Sequence, residues 1–242
     1  MEGIFLKNSF YTGNLNKLWE YLLNLKNSDI VTVINHLRDS YKKFQIPIVT
    51  EWANYKKNPF HVLISCILSL RTKDETTRKA SINLFKKADN PFEIVKLSVE
   101  EIEKLIYPVG FYKTKAKNIV EICCDIIKKY NGEVPDKIDE LLELKGVGRK
   151  TANLVVTLGF GNKGICVDTH VHRISNRLGY VKTKKPEETE FALREKLPQE
   201  YWLEINDLFV SYGQNICKPV SPFCSKCKIN DYCDKNGVVT HR

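Results

Sequence analysis

Two residues eighteen positions apart, a lysine and an aspartate, are placed where covalent chemistry could occur. Lys150 follows two closely spaced glycines in LKGVGRKTANLVV, and Asp168 stands in CVDTHVHRISNRLG. A lysine amine is a nucleophile only when deprotonated, and burial at the positive end of a helix would favour that form. A nearby carboxylate would stabilise the positive charge that develops as a sugar loses its base. The pair therefore indicates nucleophilic attack at an anomeric carbon.

The glycines before Lys150 predict a tight hairpin between two helices. Gly146 and Gly148 flank Val147 and allow the backbone to turn with its N–H groups exposed. These donors, together with Arg149, lie where a helix N-terminus would attract a phosphate. The hairpin is thus predicted to hold a nucleic-acid backbone without reading bases. An ordinary helix connection is the alternative.

Asp168 and the histidines after it have more than one interpretation. Asp168 has the residue type and position of a helix N-cap, which is as good an explanation as catalysis when the segment is taken alone. His170 and His172 could cap the helix, contact phosphate or belong to the core, and the sequence leaves that choice open.

A cysteine-rich segment, CKPVSPFCSKCKINDYC, closes the chain. Its cysteines are separated by six, two and five residues: Cys217, Cys224, Cys227 and Cys233. Four thiolates in one loop can ligate a single centre, and both an iron–sulfur cluster and tetrahedral zinc are compatible with short spacings. The remaining cysteines lie in apolar or helical contexts and are predicted to be core residues: Cys66, Cys123, Cys124 and Cys166.

Composition narrows the class of protein. Lysine and arginine outnumber aspartate and glutamate by 38 to 29, and the pI near 9.0 favours a polyanionic partner. A 43% hydrophobic content over 242 residues is enough for a core. We find neither a membrane-spanning apolar run nor a secretory signal, so we expect a cytoplasmic protein without disulfides.

Helix signals dominate the chain, and long period-2 runs are absent, so the predicted class is mainly α. Asn58 before Pro59 starts a helix, and Ser98 with Glu101 forms a capping box. A long amphipathic helix is predicted from Lys113 to Lys129. Further starts are predicted at these positions: Asp136 as the cap of 138–144, Arg149, Asp168 or Thr169, Pro186 and Gln199.

Composition shifts suggest two domains. The predicted boundaries are the stretch 52–58 and the glycine-containing stretch 161–164. We expect a middle domain at 52–162, and a second domain made from 1–51 and 163–242. The periodicity of LNKLWEYLLNL, at 15–25, predicts an added amphipathic helix.

Taken together, the three motifs resemble the endonuclease III branch of the helix-hairpin-helix DNA glycosylases. LKGVGRKTANLVV resembles the family hairpin with its catalytic lysine, VDTH resembles its aspartate segment, and the cysteine spacing is similar to its iron–sulfur loop. The resemblance runs from about Pro59 to Cys233. It implies a mainly α, two-lobed fold, with a helical barrel domain and a lobe formed by both termini that carries a [4Fe-4S] cluster at 217–233.

The resemblance also implies an activity. Lys150 would be the nucleophile and Asp168 its assisting carboxylate in a bifunctional DNA glycosylase and abasic-site lyase of base excision repair. Its partner would be double-stranded DNA with damaged bases, oxidised pyrimidines foremost, or abasic sites. The four loop cysteines would bind the cluster. We expect a monomer associated with the nucleoid.

Two positions depart from the family pattern. Arg71 falls where bacterial members usually have a glutamine that fills the gap left by the flipped base, and Phe111 falls where a leucine wedge is usual. Both side chains could still enter the gap, but Arg71 could instead contact a phosphate or the orphan base, and Phe111 could instead pack in the core at a helix turn. The resemblance implies that the DNA-contacting residues are the following: Arg71, Phe111, Gly146, Val147, Gly148, Arg149 and His170.

Two alternatives remain at this stage. A non-catalytic DNA-binding module would use the same hairpin and hold structural zinc on its cysteines. A monofunctional glycosylase that removes a mismatched adenine or a uracil would not need Lys150, and relatives of that type commonly have serine or tyrosine there.

Overall fold

The structure is a computed structural model and describes residues 29–42 and 58–242. The described residues form helices and loops and contain no β-strand, so the prediction of a mainly α protein is confirmed. The helix predicted at 15–25 and the boundary predicted from residue 52 lie outside these ranges. None of the helices in this part of the chain combines the length and apolarity that crossing a membrane requires.

The helices follow one another with short connections. In chain order they are α1 (29–41), α2 (Pro59–Ser69), α3 (Asp74–Lys87), α4 (Pro91–Ile94), α5 (Val99–Ile106), α6 (Tyr112–Tyr130), α7 (Ile138–Leu142), α8 (Arg149–Leu154), α9 (Thr169–Arg177), α10 (Pro186–Lys196) and α11 (Ile205–Asn215). A π-helical turn, Val155–Gly159, continues α8, and 3-10 turns occupy Gln199–Tyr201, Cys224–Lys226 and Asn230–Tyr232.

Local signals set most helix starts. The Asn58 side chain accepts hydrogen bonds from the backbone N–H groups of Phe60 and His61, and the capping box of Ser98 and Glu101 is formed in full. The prediction that Asp136 caps the next helix is wrong, because Lys137 occupies the N-cap without a side-chain bond. Gln199 opens only a 3-10 turn, and α11 begins six residues later.

The buried apolar residues form two clusters. The first cluster contains buried side chains between Phe60 and Val156, together with Cys166. The second cluster contains side chains of α1 and of the region from Ile165 to Ile229. Helix α2 is buried at every position from Phe60 to Leu68, which confirms that the apolar run VLISCILSL is central to its cluster.

Among the residues that the structure describes, a short segment after Gly161 connects the clusters. Residues 164–168 are not helical, and their side chains alternate: Ile165 and Val167 pack in the second cluster while Cys166 packs in the first. Alternation of this kind is what an extended chain produces, since successive side chains point to opposite sides. Asp168 follows directly and starts α9.

A buried carboxylate ties α8 to α10. Glu190 is only 3% exposed and accepts two hydrogen bonds from Arg149, at 2.9 and 2.7 Å, and one from Arg194 at 3.1 Å. Arg194 also donates to the Asn153 side-chain oxygen at 3.0 Å. Burial opposes ionisation of Glu190, but the hydrogen bonds from Arg149 and its neighbours outweigh it, and the pKa of Glu190 is lowered. The hairpin helix is thus held to the second cluster by charge as well as by apolar packing.

Replacing Glu190 by alanine should lower the free energy of unfolding by about 3 kcal/mol, because two arginines lose a buried partner. Urea denaturation of the purified protein measures the change. Glu195→Ala, at an exposed position of the same helix, is the matched control and should change stability by less than about 0.5 kcal/mol.

Acid should remove the same stabilisation. A carboxylate whose pKa is lower in the folded than in the unfolded chain stabilises the fold above the unfolded value, here 4.5, and ceases to do so as the pH falls through the folded value. The difference in unfolding free energy between the wild type and Glu190→Ala should therefore shrink as the pH falls below 4.5. A difference that is constant down to complete acid unfolding would contradict this account.

Candidate active site and cysteine loop

The glycine hairpin connects α7 to α8 as predicted. Gly146 has a φ of 78°, a conformation that glycine adopts without strain, and Gly148 is the N-cap of α8. A Cβ on Gly148 would meet nothing within 4 Å, so its backbone is open to a neighbour. The Val147 side chain is buried in the first cluster, so only its backbone is available to DNA.

Lys150 and Asp168 come together. The Lys150 Nζ lies 3.8 Å from Asp168 Oδ2. Asp168 Oδ1 meanwhile accepts hydrogen bonds from the backbone N–H groups of His170, at 2.8 Å, and Val171, at 3.0 Å. One oxygen of Asp168 thus caps α9, which confirms the N-cap interpretation, while the other faces the amine and leaves the carboxylate available for the catalytic role that stays a prediction.

The charge of Lys150 differs from the sequence-based expectation. Burial lowers the pKa of this amine, but Cys166 and Asp168 raise it when they are ionised, and the net pKa lies above the ordinary value. Burial raises the pKa of the Cys166 thiol well above its usual range, so Asp168 supplies the negative charge at neutral pH. Contrary to the expectation of a deprotonated amine, the raised pKa favours the ammonium form of Lys150 in the free protein, which would have to lose a proton before it attacks.

The pair opens onto a cleft of about 700 Å³. The Lys150 side chain is 43% exposed and that of Asp168 10%, so a ligand can reach the amine while the carboxylate stays largely shielded. The hairpin and α8 form one side of the cleft, and residues 167–170 and α10 form the other sides. The lining residues are Gly148, Arg149, Lys150, Val167, Asp168, Thr169, His170, Lys185, Pro186, Glu187 and Glu190.

His170 lies beside the pair as a neutral imidazole. Its Nδ1 is 3.0 Å from Nη2 of Arg173, and because a guanidinium can only donate, Nδ1 accepts and Nε2 carries the proton. Burial lowers the pKa of His170, and Arg173 lowers it further, although Asp168 acts in the opposite direction. His172 is bound elsewhere, with its Nδ1 2.7 Å from Thr189 Oγ1.

Arg149 lines the cleft but is already engaged. It makes the two bonds to Glu190, and its guanidinium lies 4.9 Å from the ring centre of Phe191. Its predicted contact with DNA stays a prediction. Glu190 and Arg173 were not singled out by the sequence analysis. Glu190 had one signal, since it falls on the buried side of α10 with Thr189 and Leu193.

Arg71 and Phe111 are neighbours outside this cleft lining. The guanidinium carbon of Arg71 is 5.6 Å from the ring centre of Phe111, and both residues have a positive φ. The Phe111 side chain is 62% exposed, so the alternative of core packing does not apply to it. Two chain segments far apart in sequence thus present one exposed cation and one exposed ring together.

The four loop cysteines surround one apolar cavity next to α9 and α11. All are free and partly buried. Two of the sulfurs accept hydrogen bonds, Cys217 Sγ from Arg177 at 3.4 Å and Cys227 Sγ from the Tyr212 hydroxyl at 3.3 Å. Donors of this kind stabilise thiolates, which are the form that binds iron or zinc.

Across residues 29–42 and 58–242, no three His, Cys, Asp or Glu side chains are grouped as the ligands of a metal ion. The four sulfurs share a cavity without being gathered around one point. Of the other cysteines, Cys66, Cys123 and Cys166 are buried as predicted, and Cys124 is partly buried.

Comparisons with known proteins agree with this geometry. The family model described as "HhH-GPD superfamily base excision DNA repair protein" matches residues 64–199. Endonuclease III of Thermotoga maritima is 51% identical over 182 residues, which cover 75% of this chain and 85% of that protein. Endonuclease III of Bacillus subtilis is 36% identical over 225 residues, which cover 90% and 99%.

Two solved structures are similar as well. One is a non-covalent endonuclease III–DNA complex and the other a trapped endonuclease III–DNA covalent intermediate, each with a TM-score of 0.77 and 35% identity. Each match covers 86% of this chain, and 95% and 96% respectively of the solved chains. With a helical fold, a glycine hairpin that carries a lysine and relatives of this identity and coverage, the chain belongs to the endonuclease III family of HhH-GPD base excision DNA repair proteins.

Proposed function

We propose that this protein is a bifunctional DNA glycosylase and abasic-site lyase that removes damaged bases, oxidised pyrimidines foremost, from double-stranded DNA and then nicks the strand. The observation that carries the proposal is the approach of the Lys150 amine to Asp168 at the edge of an open cleft. Family membership supports the proposal. Position 150 is a lysine and not the serine or tyrosine that is common in monofunctional relatives.

Binding precedes chemistry. The backbone of Gly146, Val147 and Gly148 would hold phosphate, and the net charge of +9 would attract the duplex. Flipping the damaged nucleotide into the cleft costs about a few kcal/mol, and least for a base that pairs badly. Arg71 and Phe111 would enter the space that the nucleotide leaves. His170, with its proton on Nε2, would contact the sugar–phosphate backbone.

Lys150 then attacks the anomeric carbon. The nitrogen–carbon bond forms as the glycosidic bond breaks, and the base leaves with the bonding electrons and takes up a proton. Asp168 stabilises the positive charge that the sugar carries meanwhile. Ring opening gives a Schiff base, and loss of a proton from the adjacent sugar carbon expels the 3′ phosphate by β-elimination. Because Lys150 is charged in the free protein, deprotonation belongs to this sequence of steps.

The domain division and the cluster are part of the proposal. We assign the first cluster, apart from Cys166, to a domain at 52–162, and the second to a domain made from 1–51 and 163–242. Cys217, Cys224, Cys227 and Cys233 would hold a [4Fe-4S] cluster, which would cross-link the loop 217–233 when bound. The sulfur donor set and its hydrogen bonds suit such a group. The monomeric state and the location at the nucleoid stay predictions.

Lys150→Gln should abolish strand nicking and the covalent complex that borohydride traps with damaged DNA, while duplex affinity survives. The reason is that glutamine is an unbranched polar side chain one bond shorter than lysine, and its amide nitrogen is not nucleophilic. Gel analysis of oligonucleotides that each contain one lesion measures both results. Lys128→Gln, at an exposed position of α6, is the control and should behave as the wild type. Nicking that is unchanged in Lys150→Gln would remove the proposed role.

Asp168→Asn should separate the two roles of the carboxylate. Asparagine is also a good N-cap, so α9 is kept, but base excision should slow by about a hundredfold because the developing positive charge loses its partner. Asp168 raises the pKa of Lys150, so its loss lowers that pKa. The rising limb of the trapping rate at abasic sites, measured against pH, should therefore move to lower pH. A limb that stays in place or moves to higher pH would exclude this electrostatic coupling.

Protein purified without air should be brown, with broad visible absorbance and bound iron, because thiolate-to-iron charge transfer absorbs there. Cys227→Ser should lose iron, whereas Cys124→Ser, outside the loop, should keep it. Iron analysis and visible spectra measure both variants. Colourless protein with stoichiometric zinc would overturn the cluster assignment and leave the nicking assays to decide the activity.

A further inference from the structure

Lys115 is a buried lysine that the mechanism above does not use. It lies in the first turn of α6 and is only 6% exposed. Among the residues that the structure describes, its partners are oxygens without a formal charge: Leu68 O at 2.8 Å, Leu70 O at 2.5 Å and Thr72 Oγ1 at 3.2 Å. An ammonium group has three N–H donors, and here each has one acceptor. Burial lowers the pKa of Lys115 to about 8, so the group is mainly charged at neutral pH.

These acceptors belong to the end of α2 and to the loop that carries Arg71. The Leu70 and Thr72 acceptors stand on either side of Arg71, whose φ is 53°. Carbonyls at a helix C-terminus lack partners within their own helix, and a cation is favoured there. Lys115 therefore binds the backbone carbonyl of the residue before Arg71 and the side-chain hydroxyl of the residue after it.

The same amine fixes the loop that carries Phe111. The Thr72 hydroxyl donates to Leu70 O at 3.2 Å and accepts from Lys115 and from the backbone N–H of Gly110, the latter at 3.1 Å. Its one donor and two acceptor sites are thus filled. A Cβ on Gly110 would lie 2.6 Å from Arg71 O, so the two backbones are in close contact. Phe111 follows and is the N-cap of α6, with a φ of 58°.

We propose that Lys115 is a positioning residue that joins the Arg71 and Phe111 loops into one rigid plug for the gap opened by base flipping. This rests on the proposed function, in which Arg71 and Phe111 enter the duplex. Lys115 itself is buried and would not touch DNA. Its loss should leave the two exposed side chains present but free to separate, so that insertion becomes less favourable while the Lys150–Asp168 pair is unchanged.

The test uses Lys115→Met, which keeps the length and apolar stem but removes all three donors. Lys128→Met is the matched control, because it makes the same substitution and charge change at an exposed position of the same helix. Plug insertion is read from 2-aminopurine placed opposite an uncleavable tetrahydrofuran abasic analogue, since its fluorescence rises when it is unstacked. This readout needs no chemistry, so it remains valid even if the protein proves not to be an enzyme.

At saturating protein, the fluorescence rise should be largely lost in Lys115→Met and retained in the wild type and Lys128→Met. Single-turnover excision of a damaged base from duplex should fall by about tenfold or more in Lys115→Met, as expected when a buried charged donor is removed. In a Phe111→Ala background the same substitution should add less than about twofold, because the residue acts through Phe111.

A normal fluorescence rise in Lys115→Met would overturn the proposal. So would a loss in the Phe111→Ala background as large as in the wild type, because the effect would then be a general one on folding. If wild-type protein shows insertion but neither excision nor trapping, the enzyme assignment fails and the plug stands. If Lys115→Met does not fold, Thr72→Val serves instead, because it removes the shared hydroxyl without burying a new polar group. The same loss of insertion is expected in Thr72→Val. Normal insertion in that variant would likewise overturn the proposal.

Discussion

The active site depends on holding one amine and one carboxylate 3.8 Å apart, with each supported by a different hydrophobic cluster. Lys150 belongs to α8, whose Ala152 and Leu154 are in the first cluster, whereas Asp168 lies between Val167 and Val171 of the second. Each charge would be costly to bury alone, and each reduces the cost of the other. The attraction between the two groups raises the pKa of Lys150 and so holds the proton on the amine. A substrate must change this balance before covalent chemistry can begin.

A pair divided in this way needs a rigid connection between its halves. The chain supplies one through residues 164–168, where alternate side chains are buried in alternate clusters. Glu190 supplies another by binding Arg149, the residue next to Lys150, from α10. Because Glu190 is almost fully buried, its hydrogen bonds have to be complete, which leaves α8 little freedom to rotate. Arg149, which precedes Lys150 in the chain, therefore fixes the position of α8.

Whether a feature could be predicted from the sequence depends on how far apart the interacting residues are in the chain. Asn58, Ser98 and Asp168 were identified as caps because their partners are two or three residues away. The protonation state of Lys150 depends on residues 16 and 18 positions away, and the burial that was expected to lower its pKa is outweighed by charge. Lys115, and Glu190 through Arg149, bind partners more than 40 residues distant, for which no local pattern exists. Lys115 carries one trace in the sequence, a charge on the apolar side of an amphipathic helix in line with Ile119, Ile122 and Ile126.

Helix α2 lies next to both the loop that carries Arg71 and the helix that carries Lys150. Its C-terminal carbonyls accept from Lys115 and so define the Arg71 loop, while Cys66, in its middle, is close enough to Lys150 for each to influence the ionisation of the other. The helix packs against α8 and its π-helical continuation on one side and against α3 and α6 on others, which is why it is apolar nearly all round. A close-packed helix transmits displacement because it cannot deform freely. A core element therefore sets the distance from the loops of Arg71 and Phe111 to the Lys150 amine, and the proposed plug and the proposed nucleophile keep a fixed separation.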